Sequence, residues 1–151
     1  MSDMKFKLSD EQRALVGTVR DLVRTNFSGR VMKWQDGTFP WENMHDLAKI
    51  GVLGMSVPEE YGGSGLPVFD TALVLEEVAK VCYATSMALM GEVGVQVRVI
   101  STYAPENMKR DILPRVCSGE SLLAVCMTEP HAGTTSRTIG PTRRSRATAR
   151  R

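Results

Sequence analysis

Ser9-Asp10-Glu11-Gln12-Arg13-Ala14-Leu15-Val16-Gly17-Thr18-Val19-Arg20-Asp21-Leu22-Val23 is the stretch whose reading decides the fold. Ser9 is placed to accept a hydrogen bond from the backbone N–H of Gln12 while the Gln12 side chain reaches back, the reciprocal capping box that opens a helix. Leu15, Val19, Leu22 and Val23 then recur at 3.6-residue spacing and make one apolar stripe. The pattern predicts a helix to about Asn26, with Gly29 beyond it. A helix with one buried stripe needs a partner surface, and the residues that follow supply helices to provide it.

Pro40 opens a second helix whose inner face is Met44, Leu47 and Ala48, with Gly51 placed as a left-handed C-terminal cap. Between Pro58 and Pro67, glycines and prolines crowd around Tyr61 and exclude both helix and central strand, so a loop is expected. A third helix covers roughly Phe69 to Cys82, with Phe69, Leu73, Val78 and Val81 inward. A fourth, from about Ser86 to Tyr103, is apolar nearly all round and is expected at the centre of its domain, with Met87 and Met90 as core filler. Its valines also allow a strand, and Gly91 and Gly94 weaken either assignment. A short helix runs from Pro105 to about Cys117, closed by Ser118-Gly119. Only Ser121 to Met127, short and apolar between turn residues, reads as a strand. It has no partner within the chain, so the architecture reads as interrupted.

Composition agrees with a mainly α, globular class: 42% hydrophobic and 24% charged residues, few aromatics and nine methionines in 151 residues. No secretory h-region and no apolar run long enough for a membrane span is present. The three cysteines, Cys82, Cys117 and Cys126, have no C-x-x-C spacing, which argues against disulfide scaffolding and zinc and for a reducing, cytoplasmic setting. Charge is unevenly spread. Residues 134–151 hold six arginines and no acid, so the net +2 of the chain divides into +6 there and −4 over residues 1–133. This tail reads as a nucleic-acid arm, as a disordered solubilising end, or as out-of-frame translation of a GC-rich gene. The absence of interleaved aromatics counts against nucleic acid, and Arg, Thr, Ala, Gly and Pro without periodicity are what the third would yield.

Several segments together resemble the acyl-CoA dehydrogenases. They are Leu8-Ser9-Asp10-Glu11-Gln12, the Pro58–Gly65 loop, Tyr103-Ala104-Pro105-Glu106-Asn107 through Leu113-Pro114, Ser118-Gly119-Glu120, and Met127-Thr128-Glu129-Pro130-His131-Ala132-Gly133. The likeness covers about residues 6–133. It implies an N-terminal helical bundle over residues 1–120, the start of a middle β-domain over 121–134, and a basic tail over 135–151. It implies FAD as cofactor, an acyl-CoA thioester as substrate, oxidation of the Cα–Cβ bond, and a homo-oligomer; the unpaired end strand is a second route to association.

Carried over by position, Val125, Cys126, Met127 and Thr128 lie against the flavin ring system, with the Thr128 hydroxyl bonding its pyrimidine edge. Val125 stands where an aromatic is common. Thr134 falls near flavin phosphate and the CoA portion of the substrate, and Thr135 replaces the usual aspartate. The fourth helix, roughly Met87 to Thr102, lines the acyl pocket. The family's catalytic carboxylate and second flavin-contacting strand fall beyond residue 134, so the chain is expected to be a truncated form, inactive alone, with no catalytic residue of its own. Glu76 and Glu77 read as solvated or packing acids, and His45 and His131 as surface residues. An acyl-CoA oxidase or flavin-dependent hydroxylase fragment, or a non-catalytic helical module for acyl-CoA or nucleic acid, are the alternatives.

Overall fold

The computed structural model describes residues 7–126 and residue 128. Among them every regular element is helical: α1 (Asp10–Leu22), α2 (Trp41–Lys49), α3 (Val68–Ala79), α4 (Tyr83–Leu89), α5 (Val97–Tyr103) and α6 (Glu106–Cys117), together with π and 3-10 segments between them. The capping box forms as the sequence predicts. Gln12 N–H donates to Ser9 Oγ at 3.1 Å and Ser9 N–H to Gln12 Oε1 at 3.0 Å. The same Gln12 side chain donates to Asp70 Oδ1 at 2.7 Å, so the cap also ties α1 to α3.

The chain stays helical past the predicted end of the first helix, through a π segment, Val23–Phe27, and a 3-10 segment, Ser28–Trp34. Phe27 and Trp34 are both buried, and their packing holds the turns that local propensity alone would release. Gly51 has a φ of 80° and ends α2 as the spacing predicts.

In α3 the buried face is Asp70, Thr71, Val74, Glu77 and Val78. Phe69 is 47% exposed rather than inward, because at 3.6 residues per turn it falls on the side of the helix away from Val74 and Val78. The fourth helix begins earlier than the pattern implies. It is one continuous run, Tyr83 to Tyr103, made of α4, a π segment Met90–Gln96 and α5. Leu89, Glu92, Val93 and Val97 are buried, whereas Met87 and Met90 are 42% and 41% exposed. The methionines are therefore not core filler: the run is apolar all round, but the described residues cover only one side of it.

The segment 121–126 forms no strand. A β-ladder needs a neighbour for its N–H and C=O groups, and none is available among the described residues. Two side chains of the Met90–Gln96 turn bind the backbone of Leu123 instead.

Two apolar clusters make the core. The larger gathers Val19, Val23, Phe27, Leu47, Leu53, Val74, Val78, Leu89 and Val93, and the smaller Val57, Tyr61, Val97, Leu113 and Val116. Between them lies the Pro58–Pro67 loop, folded back on residues 54–57. Ser64 N–H donates to Gly54 O at 3.1 Å, Gly65 N–H to Val57 O at 2.8 Å and Leu66 N–H to Met55 O at 2.7 Å. Gly63 is the closest point: a Cβ there would lie 2.1 Å from Val57 O. Only glycine permits that approach.

Candidate functional site

The end of the described chain crosses the long helical run at Gln96. On one side of the crossing, Val95, Gln96, Val99 and Ile100 face Leu123, Ala124, Val125 and Cys126 across an apolar cavity of about 200 Å³ that opens to solvent. Val99 is 49% exposed and Val125 54%, so this is a ledge and not a closed chamber. On the other side, Phe39, Trp41, Met87, Ala88, Gly91 and Glu92 form a second groove of about 350 Å³ with Leu122, Leu123 and Ala124. Segment 122–126 is thus a ridge between two apolar hollows.

The ridge is held at one residue. Leu123 N–H donates to both oxygens of Glu92, at 3.0 and 3.3 Å, and Gln96 Nε2 donates to the Leu123 carbonyl at 3.2 Å. Glu92 is 2% exposed. Burial pushes its carboxyl up to about 7, opposed only in part by the Leu123 amide. Gln96 Oε1 is buried without a hydrogen-bond donor among the described residues.

Of the residues singled out from sequence, Val125 and Cys126 lie on the ledge. Thr128 is exposed, two residues beyond the ledge's lining. Met127, Thr134, His131 and the arginine tail lie outside the described residues. The stretch expected to line an acyl pocket contributes Val95, Gln96, Val99 and Ile100. Glu77 and Glu76 sit elsewhere: Glu77 accepts from Arg20 Nε and Nη2 at 3.0 Å each and from Lys80 at 2.7 Å, and Glu76 pairs with Lys80 at 2.8 Å. The Arg20 guanidinium, with help from Lys80, holds the Glu77 carboxyl down at about 2 against the cost of burial. Glu77 is a buried packing acid and Glu76 a solvated one. His45 is exposed and lies 5.8 Å from the Trp41 ring.

Sequence reasoning passes over Glu92, which lies in a helix read as apolar nearly all round. A signal was present: Glu92 and Gln96 stand four residues apart and so share a face. An acid within an apolar run, with an amide one turn on, marks a place where a foreign backbone needs both an acceptor and a donor.

A ridge between apolar hollows, on a scaffold whose described elements are all helical, defines a helical domain with an open apolar edge. The description "Acyl-CoA dehydrogenase, N-terminal domain" fits residues 9–120, and the chain belongs to the acyl-CoA dehydrogenase family. It is 31% identical over 131 residues to a probable acyl-CoA dehydrogenase, YngJ, of Bacillus subtilis, covering 86% of this chain and 34% of that protein. It is 35% identical over 133 residues to a 3-sulfinopropanoyl-CoA desulfinase of Cupriavidus necator, covering 85% and 32% respectively. The crystal structure of an acyl-CoA dehydrogenase complexed with FAD from Bacillus anthracis superposes with a TM-score of 0.81 at 26% identity, over 88% of this chain and 23% of that one. The chain spans about a third of the length of the curated relatives it matches.

Proposed function

We propose that this chain supplies the N-terminal helical domain and one flavin-contacting edge of an FAD-dependent acyl-CoA dehydrogenase, and that alone it does not turn over. The observation that carries this reading is the ledge: an apolar helix face, Val95 to Ile100, set against the segment leading into Thr128. FAD, when bound, supplies the hydride acceptor for oxidation of an acyl-CoA Cα–Cβ bond. The residues present fit one side of such a group. Val125 and Cys126 offer an exposed surface, and Thr128 is open to solvent. Val95, Val99 and Ile100 offer a wall for an acyl chain and exclude water from it. Met127 and Thr134 complete the edge in this reading, Thr134 toward the flavin phosphate and the CoA portion.

A relative named as a desulfinase matches as well as one named as a dehydrogenase, and both names contain a CoA thioester. That thioester is the substrate class we assign. The exposed Met87 and Met90 face is the surface we assign to the rest of a full-length enzyme, or to a second copy. Three free cysteines support a reducing compartment such as the cytoplasm. Among the described residues no helix is long and apolar enough to cross a membrane.

Magnitudes favour weak flavin binding by the chain alone. About five hydrogen bonds at ~0.5–1.5 kcal/mol each face an association cost of ~4–15 kcal/mol. Purified chain mixed with FAD is expected to emerge colourless from desalting, while calorimetry shows acyl-CoA binding that strengthens with acyl length and is lost in Val99→Glu. Acyl-CoA binding independent of chain length, or untouched by Val99→Glu, would overturn the assignment of the ledge.

A further inference from the structure

We infer that Glu92 and Gln96 form a positioning pair that sets the height of the flavin-contact segment on the helix by gripping both backbone polar groups of Leu123. The inference rests on the proposed function only for what the segment does; the grip itself stands on geometry. Glu92 accepts the Leu123 N–H with both carboxylate oxygens, at 3.0 and 3.3 Å, and Gln96 donates to the Leu123 carbonyl at 3.2 Å. A strand would satisfy these two groups with a neighbouring strand. Here two side chains one helical turn apart imitate that neighbour, an acceptor for the amide and a donor for the carbonyl.

The helix is shaped for this. The Met90–Gln96 turn is π-helical, and a Cβ at Gly91 would stand 3.3 Å from Gln96 Oε1, so glycine leaves the amide its place. Two residues beyond the grip, Val125 reaches the ledge. A shift of Leu123 along the helix would therefore move Val125 and Cys126 with it.

Among the described residues no cation pairs with this carboxylate, an unusual choice for a purely structural anchor. The elements packed against the turn are α3, α4, α5 and the 3-10 turn Val52–Gly54. None of them presents a charged side chain that acts on Glu92; burial and the Leu123 amide are the influences on it. The grip is therefore sensitive to the protonation of Glu92. The ionised form is the stronger acceptor for Leu123, whereas the protonated form adds a donor one turn from the unpartnered Gln96 Oε1.

The test uses the full 151-residue chain, labelled with ¹⁵N, without flavin. In the wild type the Leu123 amide is expected to shift sigmoidally between about pH 5 and pH 9 as the single carboxyl it faces titrates. Glu92→Gln retains an acceptor, so Leu123 keeps its exchange protection to within about threefold while the titration disappears; Glu92→Ala lowers that protection about tenfold or more. Val19 and Leu113, buried in other helices, serve as reference amides and are expected to change in neither variant. A Leu123 amide that is flat across this range in the wild type would overturn the inference, and that measurement needs no variant to fold. So would equal Leu123 protection in Glu92→Ala and the wild type. Neither result bears on acyl-CoA binding, so failure here is separable from failure of the proposed function.

Discussion

Two buried acids show how much a residue's surroundings decide. Glu77 is held at about 2 by Arg20 and Lys80, whereas burial pushes Glu92 up to about 7. Their linkage to stability has opposite signs. Glu77 has a folded value below the ordinary 4.5, so its contribution is present above 4.5 and lost as pH falls toward 2; with Arg20 partly in solvent it amounts to roughly 1–2 kcal/mol. Glu92 has a folded value above 4.5, so its contribution is full below 4.5 and is lost as pH rises toward 7, by about 3 kcal/mol. Urea denaturation as a function of pH checks both. Glu77→Gln is expected to flatten the acid limb, and Glu92→Gln to flatten the decline toward neutrality and to exceed the wild type above pH 7. At this scale the sequence was half legible. Ser9, Gln12 and Gly51 declare themselves because their work is local, within a few residues of the chain. Glu92 does not, because its partner lies 31 residues away and its burial depends on packing that no window of sequence contains.

Among the elements, the run from Tyr83 to Tyr103 was the least decided by pattern. Its valines and glycines permit strand or helix, and only tertiary packing settles the matter in favour of a helix with a π turn at its middle. Its apolar residues also could not be sorted into inner and outer faces by periodicity, since nearly every position is apolar. The structure sorts them, and adjacent residues make the test. Leu89 is fully buried while Met90 is 41% exposed. Leu89→Ala is expected to cost about 2–5 kcal/mol in urea denaturation, and Met90→Ser within about 0.5 kcal/mol. Comparable losses at both sites would mean that the face carrying Met90 is covered in the isolated chain. The segment 121–126 shows the complementary limit. Its composition reads as strand-forming, and the structure forms no strand over 121–126, because pairing is a property of two segments and no second is available among the described residues.

For the molecule as a whole, helical class, element order and family were legible because caps, turn residues and spacing agreed with one another along more than a hundred residues. The composition of the ledge was legible only through resemblance, and its geometry not at all, since an open edge is defined by what stands across from it. The back-folded Pro58–Pro67 loop carries a consequence at this scale. By composition it is the sort of segment that accepts insertions and chain breaks. Here it stitches the two apolar clusters, with Leu66 against the larger and Tyr61 inside the smaller. Both clusters are therefore expected to melt as one cooperative unit, their slowest-exchanging amides near Leu89 and Leu113 opening with a common free energy. Gly63→Ala is expected to cost about 1–3 kcal/mol and to split those amides into two classes. A circular permutant opened within this loop would lose that shared transition, whatever its surface exposure promised.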